Sequence, residues 1–206
     1  MSAGCNHSTN FEGLSDDYKR RLWLVIAINA AMFAVEMGAG QLAQSQALQA
    51  DALDFAGDAL TYGLSLAAIG ASLSIRSTAA LAKGISLFSM GLWVFATTLN
   101  RMLSDTVPEA EVMGAIGFLA LLANLASVLL LVAYKDGDAN VRSVWLCSRN
   151  DAIGNIAVMI AALGVWGTTT GWPDLIVAGL MAGLFLSSAL QIIRQALRER
   201  KSLHSQ

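Results

Sequence analysis

Charge is scarce in this chain. Of its 206 residues only 14% are Asp, Glu, Lys or Arg, while 55% are hydrophobic and the mean hydropathy is +0.56. A soluble domain carries about a quarter charged residues, so this composition excludes an ordinary water-soluble globule. Cysteine is scarcer still. Cys5 stands in a polar tail and Cys147 in an apolar run, which excludes a disulfide framework. The two prolines, Pro108 and Pro173, fall in short hairpins between apolar runs. There is no low-complexity tract. The first twenty-one residues mix acids with bases and do not resemble a cleaved signal sequence. The formal net charge of −2 discriminates little, and no nucleic-acid partner is expected.

What is present is a row of long apolar segments. A helix needs about 20 apolar residues to cross a bilayer. Segments 22–43, 47–75, 79–103, 112–134, 144–168 and 175–197 qualify. The pattern predicts an all-α membrane protein of six transmembrane helices, multi-pass in a bacterial cytoplasmic (inner) membrane. The expected parts are an N-terminal tail at 1–21, a membrane domain at 22–197 and a basic tail at 198–206. With the N-terminus in the cytoplasm, Lys19, Arg20, Arg21, Arg76, Lys83, Lys135, Arg142, Arg194, Arg198, Arg200 and Lys201 fall at cytoplasmic ends, and only Arg101 at an external one. That asymmetry predicts both termini inside. The eighteen glycines are read as close-packing positions of a helix bundle.

Within these runs the acids stand out. Asp51, Asp54 and Asp58 are spaced by three and four, so one helical face carries all three, extended by Thr61 and Ser65. Far along the chain, Cys147, Asp151 and Asn155 form a second stripe at intervals of four. Carboxylates at bilayer depth are costly and usually face a partner, a cavity or an ion path. No Lys or Arg is read deep in a span, with Arg149 the exception, so pairing has few candidates. The two stripes are read as two halves of one intramembrane cation site. Asp54, Asp58 and Asp151 would supply hard oxygen donors, and Cys147 or Asn155 would complete a four-coordinate shell. A thiolate would favour zinc, whereas oxygen alone leaves manganese, iron or magnesium open. Asp51 is either an entry-side ligand or a solvated residue at a water-filled mouth. Glu36 is read as a helix-to-helix hydrogen-bond partner or a proton relay. Asn29, Asn100 and Asn124 are read as joining helices. Metal binding requires deprotonated ligands, so such a site exchanges protons for cation.

These residues resemble the cation diffusion facilitator family. Its second span carries His or Asp, then Asp four residues later. Asp54-Phe-Ala-Gly-Asp58 matches this, after a Leu48-Gln49-Ala50-Asp51-Ala52 lead-in. In the fifth span Cys147-Ser-Arg-Asn-Asp151 takes the corresponding place, and Asn155 matches an amide one turn on. The resemblance covers residues 22–197. It implies a proton-coupled antiporter exporting divalent cations, zinc first, with Mn2+, Fe2+, Cd2+ and Co2+ as the other candidates, and a homodimer in the bilayer with no resident cofactor. Three departures accompany it. Cys147 replaces the usual His, no His-rich loop joins spans four and five, and the chain stops soon after Leu197. The last is expected to mark a short branch without the family's cytoplasmic C-terminal domain.

Two rival readings remain at this stage. Asp58 and Asp151 would serve as the dyad of an intramembrane aspartyl protease sharing one proton. Their contexts, Ala56-Gly57 and Arg149-Asn150, are not those of such proteases. The other reading is a non-catalytic membrane scaffold, whose acids would tolerate substitution.

Overall fold

The computed structural model describes residues 15–67, 73–104, 106–135 and 139–203. Cys5, His7, His204 and most of the turn at 135–138 lie outside them. Among the described residues there are six α-helices and no strand. They are α1 (Asp16–Leu42), α2 (Gln46–Ala67), α3 (Leu73–Met102), α4 (Ala110–Leu131), α5 (Ala139–Thr168) and α6 (Trp172–Leu203). A 3₁₀ turn, Val132–Tyr134, follows α4.

Each helix sits on its predicted span, and the ends differ for local reasons. Ser15 caps α1 by accepting from the Tyr18 amide at 3.2 Å, and Asp16 and Asp17 occupy its first turn. Acids there suit the helix dipole, so α1 starts before the apolar stretch does. Residues 73–75, read as the tail of the second span, belong to α3 instead. Gly70, Ser72 and Ser74 interrupt the run from Leu64 to Ile75, but by hydropathy it reads as one small, apolar stretch.

Five helices are long and apolar enough to cross a membrane. The exception is α2, which carries Asp51, Asp54 and Asp58. Its position explains how it is nonetheless accommodated. It packs against α1, α3, α4, α5 and α6, so neighbours wall its carboxylates off from lipid. Outward-facing side chains are the reverse: Leu163, Trp166, Leu180 and Leu184 are largely exposed, an apolar surface suited to acyl chains. The chain is a multi-pass integral membrane protein.

Packing is strongest between α3 and α6, then between α1 and α2 and between α4 and α5. At Gly84 of α3, an added Cβ would stand 2.7 Å from Ile193 Cγ1 of α6, so only glycine admits this crossing.

The corner between α1 and α2 is unusually well fastened. Gln44 takes a left-handed backbone (φ 56°), and the Ser45 amide reaches back to the Gly40 carbonyl at 2.9 Å, a Schellman closure of α1. Ser45 then caps α2, accepting from the Leu48 amide at 3.0 Å. Asp174, in the first turn of α6, finishes the job. Its carboxylate accepts from the Ser45 hydroxyl at 2.6 Å, the Gln46 amide at 2.8 Å and the Ala47 amide at 3.0 Å. The amides that begin a helix lack intrahelical partners, and here a neighbouring helix supplies them.

Candidate metal centre

The helical spacing of α2 aims Asp54, Gly57, Asp58 and Thr61 toward α3, α5 and α6. Together with Asp151 and Gly154 of α5 they line a cavity of about 440 Å³. Lys83, Ser86, Leu87 and Met90 of α3 form another wall, and Met181, Phe185 and Ser188 of α6 a third. Asp54 and Asp58 both lie against Asp151, so the two sequence stripes meet. Among the described residues no three His, Cys, Asp or Glu side chains are preassembled to hold a metal ion. Cys147 sits on α5, and its side chain is outside those described.

The Asp58 carboxylate is oriented from its own helix. Tyr62, one turn on and fully buried, donates its hydroxyl to Asp58 Oδ2, and the Ser148 hydroxyl of α5 lies 3.3 Å from the same phenol oxygen. Sequence reasoning missed Tyr62, although the interval Asp58-x-x-x-Tyr62 places the two side by side on a helix.

A second polar group lies beside the cavity. Asn155 donates to Asp51 Oδ2 at 2.7 Å and accepts from Asn124 at 2.9 Å. Both ends of its amide are thereby committed, and it joins α2, α5 and α4. Asn124 joins helices as expected, whereas Asn29 donates within α1, to the Val25 carbonyl at 2.8 Å. Asp51 is 2% exposed, which corrects the reading of a solvated residue at a water-filled mouth. Glu36 is fully buried with its carboxyl against that of Asp51, an α1–α2 contact of the helix-to-helix kind read from the sequence.

One basic residue also reaches the site. Lys83, assigned by charge pattern to a cytoplasmic end, lines the cavity of Asp54, Asp58 and Asp151. A long aliphatic stem lets an ammonium reach far from its own Cα, which segment counting cannot register. Arg149, the expected exception, is exposed.

Set against known proteins, residues 22–199 match the family described as the cation efflux transmembrane domain. The chain belongs to that family. The resemblance read from Asp54-Phe-Ala-Gly-Asp58 and Cys147-Ser-Arg-Asn-Asp151 therefore holds for most of its length. This cation efflux domain is 29% identical over 211 residues to the zinc transporter ZitB of Escherichia coli, covering 94% of the chain and 66% of that protein. It is 24% identical over 190 residues to the metal cation efflux system protein CzcD of Cupriavidus metallidurans, covering 86% and 59%. The zinc transporter ZitB of Yersinia pestis is 27% identical over 199 residues, with 89% and 63% covered. The chain thus spans up to about two thirds of the length of these relatives.

Proposed function

We propose that this protein exports divalent transition-metal cations, zinc foremost, in exchange for protons, through a centre made by Asp54, Asp58 and Asp151 between α2 and α5. One observation carries the reading: three carboxylates from two helices line a single cavity inside a membrane bundle of the cation efflux family. Such acids are maintained at bilayer depth only where they have work or a partner. The named activities of ZitB and CzcD support metal as the substrate. The family match also argues against the aspartyl protease and the scaffold.

The chemistry follows from the donors. Carboxylates bind a cation only when deprotonated, so loading metal releases protons and unloading it takes them up. Three such groups at close range repel one another when ionised, and a cation among them relieves that repulsion. Cys147, four residues before Asp151, is the proposed fourth ligand and would bias the set toward a borderline ion such as Zn2+. Asn155 fits better as a positioning residue, because Asp51 and Asn124 already occupy its amide. The basic residues support both termini in the cytoplasm, the bacterial relatives support an inner membrane, and the family resemblance supports a homodimer.

The test is zinc flux in sealed vesicles containing the purified full chain. An imposed pH gradient should drive zinc against its own gradient. Asp58→Ala and Asp151→Ala should each abolish that flux. Undiminished flux in both variants would show that the ion takes another route.

A further inference from the structure

Among the described residues, Lys83 is the only basic side chain lining the acid cavity. It shares one face of α3 with Ser86, Leu87 and Met90, which also line that space. Its neighbour Gly84 is packed tightly against Ile193 of α6, so the base of the side chain is held at a close seam and a four-carbon stem carries the ammonium. The field of its ammonium reaches Asp58, yet it closes no ion pair among the described residues.

We propose that Lys83 sets the affinity of the metal centre, as a tethered charge that competes with the bound ion for Asp58 and so keeps it releasable. The proposal rests on the metal-centre reading above. With Lys83 present, an arriving dication meets a positive charge already in the cavity, and a departing one leaves that charge beside the acids as they take up protons. Without it, the same acids hold a dication in excess negative charge and give it up slowly.

The experiment uses the full chain purified in detergent, with Zn2+ alone and Co2+ alone as probes, titrated in competition with a chromophoric chelator. Removing one positive charge near a dication across a partly desolvated cavity should tighten binding by about tenfold in K83Q and in K83M. In vesicles the same variants should show a lower KM together with a lower kcat. K83R, which keeps the charge, should restore wild-type affinity and the original KM and kcat. Loss of packing alone would weaken binding, so tightening is a readout that a merely structural role would not produce. Unchanged or weaker binding in K83Q and K83M, with binding in the wild type still dependent on Asp58, would overturn the role of Lys83 and leave the metal centre standing. Wild-type binding that survives Asp58→Ala and Asp151→Ala intact would overturn the metal centre, and this proposal with it.

Discussion

Asp174 shows how much one side chain can do outside the helix it belongs to. Its buried carboxylate takes three hydrogen bonds from Ser45, Gln46 and Ala47. Asp174→Ala removes that acceptor and strands two buried amides, a loss of about 1–3 kcal/mol. Thermal unfolding in detergent should show a clear fall in midpoint, with a smaller fall for Asp174→Asn, which keeps one carbonyl oxygen. Sequence alone placed Asp174 in a Gly171-Trp172-Pro173-Asp174 hairpin and stopped there, because its partners lie about 130 residues away and leave no local mark. Asp54, Asp58 and Asp151 were legible for the opposite reason: a charge in an apolar run is conspicuous wherever it points. Lys83 reads only as a charge near a span end, because its place beside the acids of α2 and α5 depends on how the helices pack. The two remaining donors separate by experiment. Cys147→Ser should shift the preference among Zn2+, Co2+ and Mn2+ in a metal panel. Asn155→Ala should slow transport through loss of the Asp51 contact while leaving that preference in place. A changed preference in Asn155→Ala would make it a ligand after all.

At the scale of elements, the number of helices was readable because crossing a bilayer demands an apolar length that few other structures share. Where one helix yields to the next was less readable. Helix α2 ends at Ala67 and α3 begins at Leu73, and Gly70 between them does not stand out as a boundary because glycine is frequent throughout these spans. That α2 is the central helix follows from its acids only in hindsight, since shielding them requires neighbours on every side. The α3–α6 seam makes its own prediction. Gly84→Ala would press a methyl group within 2.7 Å of Ile193 Cγ1. Relieving that overlap should cost about 1–3 kcal/mol, visible as a lower unfolding midpoint. Ile193→Ala in the same chain should recover part of the loss, because the two positions share one contact.

For the whole molecule, the outstanding prediction is orientation. With both termini inside, a cysteine at Lys135 should react with a membrane-impermeant maleimide only when the cytoplasmic face is open to the reagent. One at Thr170, in the turn between α5 and α6, should react from the opposite face. Both would be placed in a Cys5→Ser, Cys147→Ser background. Reversed labelling would invert the bundle and the direction of any export with it.

The fastening of α2 to α6 has a mechanical corollary. Both helices begin at the Asp174 clasp, and the acid cavity lies further along the same pair, beside Asp58 and Phe185. The arrangement has the form of tongs joined at the handle end. Were the helices to part around the acids, the clasp would keep their first turns together, and passage at that end would require its three hydrogen bonds to break.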